Sequence, residues 1–285
     1  MRVAIIGLGE VGRCFAKGLL DAGMAVALCE ARPTPAAEAL SRQTGTAIHS
    51  GAGPWLSSVD WVLSCVTGAA ALEVAETALA CLKAGQCYAD LTTASPDTKR
   101  RAAERARMAG VDYLDVAIMG SIAMMGFSTP LLASGTQSGA FCRLMNGAKG
   151  RATEVVDGVA GDAISLKIMR SVFTKGLEAL AVELLVYADQ TGARDKLFSQ
   201  LQDIDDMPLQ TLLEGLVRTH VIHARRRAHE VHDAAVEMSA KGLPSMVLPG
   251  IARRFEDTAA RIDGSNLAIG DVPIDRALAM LRGAV

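Results

Sequence analysis

With 285 residues, the chain has room for one large or two ordinary domains. It is 50% hydrophobic and 21% charged, the balance of a globular protein with a sizeable core. The formal net charge of -2 gives no footing for nucleic acid or an anionic membrane, and no apolar run reaches the roughly 18 residues of a membrane span.

The opening MRVAIIGLGEVG reads as a first strand, since Glu10 and the glycines interrupt the apolar run too early for a signal peptide. A helix follows over Val11 to Ala22, with apolar residues at Val11, Phe15, Leu19 and Leu20 and Gly23 as its stop. MAVALCE is the second strand, and a turn and helix follow in ARPTPAAEALSRQTG. WVLSCV, YADLTT and YLDVAIM are further strands, with PLLASG and TEVVDGV as two more before about residue 160. Near-continuous apolar strands alternating with helices predict a mostly parallel, Rossmann-like sheet covered on both faces. From 163 to 187 the text reads as one long helix, and helical patterns continue at about 194–203, 207–240, 244–262 and 272–284. The expected α/β architecture is therefore a cofactor domain over 1–160 and an all-helical domain over 161–285. The six cysteines (14, 29, 65, 81, 87 and 142) lack C-x-x-C spacing. Reduced, mostly buried thiols in a cytoplasmic protein are expected.

Gly7, Gly9 and Gly12 form G-x-G-x-x-G between a strand and a helix. By itself the pattern also fits a Gly-rich turn that packs a helix onto a sheet. A dinucleotide site further requires an acid roughly 20 residues on, at the end of the second strand, and Glu30 stands there. In that reading Gly7 permits the turn and Gly9 admits the pyrophosphate to the backbone of Leu8, Glu10 and Val11. Gly12 lets helix and strand pack closely, and the positive end of the helix faces the anion. Glu30 would accept hydrogen bonds from ribose hydroxyls, which favours NAD. Arg32 could instead reach a 2′-phosphate, so NADP stays open.

Four stretches together resemble the beta-hydroxyacid dehydrogenase family, relatives of 3-hydroxyisobutyrate dehydrogenase and 6-phosphogluconate dehydrogenase. They are GLGEVG (7–12), ADLTTASP (89–96), DVAIMGS (115–121) and GDAISLK (161–167). The resemblance implies that Thr67 and Thr93 line the nicotinamide side of the cleft. Gly120 and Ser121 would hold a substrate carboxylate, and Lys167 would be the catalytic lysine. Met119 stands where the family has a serine, and Arg170 and Ser171 stand where it usually has two asparagines. Substrate identity therefore does not transfer. A homodimer formed through the helical domains is expected from the same resemblance.

Oxidation of a carbinol releases a hydroxyl proton, and a lysine with a depressed pKa can take it. Arg170, one turn after Lys167, could lower that pKa and grip a carboxylate or phosphate. Lys175, two turns on, could meet the far end of a longer substrate. The expected activity is NAD(P)-dependent hydride transfer at the carbinol carbon of a small hydroxy acid. The alternatives are an imine-reducing enzyme of related fold and a non-catalytic NAD(P) sensor. Met124, Met125 and Phe127 read as core residues, or as an apolar wall if they face the cleft. His220, His223, His229 and His232 read as a polar helix face rather than a metal site. The basic run at 225–227 reads as a solvated or inter-subunit face.

Overall fold

The computed structural model describes residues 1–262, 264, 266–268, 270 and 272–283, and it divides into two compact units, Met1–Val172 and Phe173–Val285. The first unit contains strands β1 (Arg2–Ile6), β2 (Ala25–Cys29), β3 (Ile48–His49), β4 (Trp61–Ser64), β5 (Cys87–Asp90), β6 (Asp112–Ile118), β7 (Leu131–Gly135) and β8 (Ala152–Glu154). They form one sheet in the order β3-β2-β1-β4-β5-β6-β7-β8. The first six strands are parallel; β7 runs antiparallel to β6 and parallel to β8. The strand order reverses beside β1, so a crevice opens at the carboxyl ends of β1 and β4, where ligands of open α/β sheets bind.

The strands between the two edges are largely buried on both faces. Val3, Ile5, Leu63 and Leu114 pack on one side with Phe15 and Leu19 of α1 (Glu10–Asp21). Ala4, Ile6, Val62 and Tyr113 pack on the other with Ala75 and Leu79 of α3 (Ala71–Leu79) and Ala102 of α4 (Pro96–Met108). The remaining helices of the unit are α2 (Pro35–Thr44), α5 (Ile122–Met125) and α6 (Ser138–Gly147). Ser95 caps α4 by accepting from Thr98 N, with Pro96 in the first turn, the usual chemistry of a helix start. Phe127 takes the core alternative: its ring meets Phe15 edge-on at 5.5 Å between centroids. A Cβ on Gly18 would come within 2.3 Å of that ring. Met124, by contrast, is 86% exposed.

The long helix α7 is Asp162–Gln190, and the division between the units falls within it, at Val172. The expected boundary at 160 stands before α7. The helix's first turn is tied into the first unit, because Ala163 N donates to Ser134 Oγ and Ile164 N to Asp115 Oδ2. In the second unit follow α8 (Arg194–Gln200), α9 (Gln202–Asp205), α10 (Leu209–Ala240), α11 (Leu248–Arg261) and α12 (Ile274–Arg282). The expected helix at 194–203 is thus two short helices broken at Leu201. Val221 of α10, Val272 and Ala277 of α12 form a small core with Ile262 and Met280 around it. Glu183 of α7 accepts from Met246 N and Val247 N and anchors the start of α11. The bond from the Ser245 hydroxyl first, and then these two, favour its charged form and hold its pKa below the usual carboxylate range.

The histidines of α10 lie in the second unit. His220 Nε2 sits 2.8 Å from Thr258 Oγ1, and its ring lies over Phe255. Burial, then Arg254 and Arg227, lowers its pKa. Among the described residues no group of three or more His, Cys, Asp or Glu could hold a metal ion. In the basic run Arg225 donates to Ala259 O of α11, while Arg226 pairs with Glu230 and Arg227 donates to Thr219 Oγ1 along α10 itself. No described helix is long and apolar enough to cross a membrane. All six cysteines are free thiols; Cys29 and Cys87 are buried, and burial pushes each pKa up to about 11.

Candidate functional site

The Gly-rich loop connects β1 to α1 at the carboxyl edge of the sheet. Gly7 has φ +89°, in the left-handed region, and a Cβ there would meet Cys65 and Val66 at 2.9 Å. Gly12 is closer still: a Cβ would stand 1.8 Å from the Gly7 carbonyl oxygen. Around Gly9 a Cβ would meet nothing within 4 Å. The loop is therefore packed tightly from below and open above Gly9, next to the helix N-terminus. That is the cradle an anionic pyrophosphate needs. Arg13 Nη1 donates to Leu8 O at 2.9 Å and braces the loop.

Glu30 follows β2. Its Oε2 accepts from Leu8 N at 2.8 Å and its Oε1 from Arg32 N at 3.1 Å. Each oxygen keeps acceptor capacity for a ribose hydroxyl, since a carboxylate oxygen can accept two bonds. The bond to Leu8 joins the two halves of the dinucleotide fingerprint directly. Arg32 is exposed, with its main chain turned back onto Glu30.

The other predicted residues follow the carboxyl ends of neighbouring parallel strands. Thr67 precedes the short turn Gly68–Ala70 after β4. A Cβ on Gly68 would stand 2.5 Å from Thr93 O, so the loop at Thr67 lies against the loop after β5. Lys167 Nζ donates to Thr93 Oγ1 at 3.1 Å. These two residues lie far apart in sequence, and the fold brings them together. Gly120 and Ser121 come after β6; both are exposed, and Ser121 stands at the start of α5, where its side chain makes no capping bond. Arg170 is exposed, one turn beyond Lys167 on α7. Lys175 is exposed on the part of α7 that belongs to the second unit.

Beneath Lys167 lies a cluster that the sequence did not point to. Lys99 of α4 is 0% exposed, and its Nζ sits 3.0 Å from Asp90 Oδ1 and 3.3 Å from Asp115 Oδ1. It also donates to Asp90 O at 2.7 Å. Tyr113 OH donates to Asp90 Oδ2 at 2.6 Å, and Thr92 N to Asp90 Oδ1 at 2.9 Å. Burial raises the Asp115 pKa, opposed by Lys99 and by the bond from Ile164 N. Lys167 is half-buried, and its pKa is lowered first by burial and then by the charge of Lys99, with Asp115 opposing. The cation that acts on Lys167 is Lys99. Spacing along the helix had pointed to Arg170.

A cavity of about 890 Å³ lies at the opposite end of the sheet, lined by Arg100, Arg107, Asp112 and Glu154 among others. Tyr113 also lines it, but none of the residues expected from the sequence to bind cofactor or substrate does. The chemistry-bearing loops gather instead at the carboxyl ends of β1, β4, β5 and β6.

A tight glycine turn bonded to the acid after the second strand, on a sheet whose order reverses beside it, is the arrangement of a dinucleotide domain. The family described as the NAD binding domain of 6-phosphogluconate dehydrogenase matches residues 2–146. The chain belongs to this family. Its first unit thus carries an NAD(P)-binding domain of the 6-phosphogluconate dehydrogenase type. Residues 188–258 match a second family, Domain of unknown function (DUF1932). A curated relative from Methanothermus fervidus, the uncharacterized 28.5 kDa protein in the 7S RNA 5′ region, is 27% identical over 231 residues. The match covers 81% of this chain and 88% of that one. Among solved structures, the conserved protein MTH1747, of unknown function and structurally similar to 3-hydroxyacid dehydrogenases, is 27% identical with a TM-score of 0.64. That match covers 91% of this chain and 97% of the other. The reductive aminase from Aspergillus terreus in complex with NADPH and ethyl levulinate is 18% identical, with a TM-score of 0.72 over 97% of this chain and 98% of the other. It shares the fold.

Proposed function

We propose that the protein is an NAD(P)-dependent dehydrogenase that moves a hydride between the nicotinamide and the carbinol carbon of a small hydroxy acid. The observation that carries this reading is the half-buried Lys167, with its lowered pKa, bonded to Thr93 at the edge of the cofactor loops. A bound nicotinamide supplies the two-electron hydride exchange. Lys167 Nζ takes the proton from the substrate hydroxyl as the carbonyl forms, and returns it in the reverse direction. Thr93 orients the amine through its hydroxyl. Gly120 and Ser121 offer main-chain N–H groups, and Ser121 a hydroxyl, to the substrate carboxylate. Arg170 adds a planar fork for a carboxylate or phosphate, and Lys175 a charge for the far end of a longer substrate. The cofactor is held by the loop Gly7, Leu8, Gly9, Glu10, Val11 and Gly12, by Glu30 and Arg32 at the adenosine, and by Thr67 and Thr93.

Reduction of a C=N bond is the second reading, favoured by the likeness of fold to the reductive aminase. A panel of hydroxy acids, with and without phosphate, run beside cyclic imines separates the two. Hydroxy acids should give NADH, and phosphate on the substrate should improve KM if Arg170 grips it. Turnover of imines alone would overturn the proposal, and turnover of nothing would favour a sensor. NAD is the preferred cofactor in this reading, because Glu30 repels a 2′-phosphate. Glu30→Ala should raise the ratio of kcat/KM with NADP to that with NAD by about tenfold or more. A wild-type protein that already prefers NADP would refute the assignment.

The helical unit is proposed to pair with a second copy of itself. On α7, Leu177, Leu180, Val182, Leu184, Leu185 and Val186 are all at least 37% exposed. A helix apolar around its circumference is ordinarily buried. Light scattering should give twice the chain mass at micromolar concentration; a monomer would refute the pairing.

A further inference from the structure

The established family accounts for the glycine loop but not for a fully buried lysine under the site. We propose that Lys99 is a positioning residue for Lys167, with Asp90, Asp115 and Tyr113 as the frame that locks it in place.

The argument is geometric. Lys99 reaches from α4 into the sheet, where Asp90 of β5 and Asp115 of β6 stand opposite each other in the parallel register. Two carboxylates that close in a buried site repel each other, and the ammonium between them makes both tolerable. Each carboxylate then does a second task. Asp90 organises the loop after β5 by accepting from Thr92 N, next to the Thr93 hydroxyl that accepts from Lys167. Asp115 accepts from Ile164 N in the first turn of α7, three residues before Lys167. The cluster therefore holds both the lysine's helix and the lysine's hydrogen-bond partner. It also keeps a fixed positive charge under the site, and that charge opposes protonation of Lys167. The charged groups that act on Lys167 are Lys99 from α4, which opposes protonation, and Asp115 from β6, which favours it. Tyr113 contributes a neutral phenol, since burial and then Asp90 push its pKa far up.

The functional meaning of this inference rests on the acid/base reading of Lys167, but its test needs no substrate. The full chain is acetylated with trace acetic anhydride over a pH series, and the Lys167 peptide is followed by mass spectrometry against exposed lysines of the same chain. In the wild type the labelling midpoint of Lys167 should fall below theirs. Lys99→Met removes the like charge and leaves Asp115 to favour the protonated amine, so the midpoint should rise by roughly one pH unit. Lys99→Arg keeps the cation and should leave it near the wild-type value. Asp115→Asn keeps an oxygen for Ile164 N but removes an anion, so the midpoint should fall. Circular dichroism establishes folding; if Lys99→Met does not fold, Asp115→Asn decides. An unmoved midpoint in the deciding variant overturns the proposal, as does a wild-type midpoint no lower than that of the exposed lysines. A separate failure is recognisable: if Lys167→Ala retains turnover, the acid/base reading falls while the measured coupling stands.

Discussion

Lys167→Ala should lower turnover by roughly a hundred- to ten-thousand-fold, the usual worth of a positioned acid or base. NADH affinity, read by fluorescence titration, should stay within about twofold, because in the proposed role the amine serves the reacting oxygen and not the cofactor's phosphates. The side chain is half-buried and bonded to Thr93, so its loss also frees that hydroxyl. A Lys167→Arg variant keeps charge but holds its proton too firmly to act as a base. It should be nearly as inactive as the alanine variant. Unchanged turnover in either variant would remove the lysine from the mechanism.

The second large effect concerns Gly9 and Gly12, two glycines of the fingerprint with opposite surroundings. At Gly12 a Cβ would meet the Gly7 carbonyl oxygen at 1.8 Å, and neither backbone can give way without moving the loop or the helix. Gly12→Ala should therefore destabilise the first unit by about 1–3 kcal/mol, the cost of overpacking, and abolish dinucleotide binding with it. At Gly9 a Cβ meets nothing, and the backbone, at φ -63° and ψ -165°, suits any residue. Gly9→Ala should leave stability within about 0.5 kcal/mol of wild type, as for an uncrowded surface position. It should still weaken NAD(H) binding, because the methyl group would enter the open space proposed to take the pyrophosphate. Thermal unfolding with and without NADH distinguishes the two. Equal loss of stability in both variants would refute the steric distinction, and undiminished stabilisation of Gly9→Ala by NADH would show that the opening above Gly9 is not a binding surface.

These residues also show what sequence alone can convey. The glycine loop and Glu30 are legible because their constraints are local: a tight turn, a helix start, an acid at a strand end. Lys167 and Thr93 were legible only through the order of four motifs. No spacing rule links an amine on α7 to a hydroxyl after β5. Lys99 was illegible. It sits in PDTKRRAAER, where one lysine among arginines on an amphipathic helix reads as a solvated side chain. Only the packing of α4 on the sheet buries it. Asp90 and Asp115 lay inside motifs already noticed, yet their meeting across adjacent strands depends on register. The antiparallel direction of β7 was likewise hidden, since an apolar run carries no sign of its direction. β3, only two residues long, was too short to show a period.

The bond from Leu8 N to Glu30 has a consequence for cofactor engineering. The carboxylate that would discriminate between the two nicotinamide cofactors also fastens the phosphate loop before either arrives. Selectivity and preorganisation therefore share one side chain. A variant made to accept NADP by shortening position 30 releases that fastening, and its gain in selectivity should come with weaker binding of both cofactors. A replacement that still offers Leu8 an acceptor, such as Glu30→Gln, separates the two quantities.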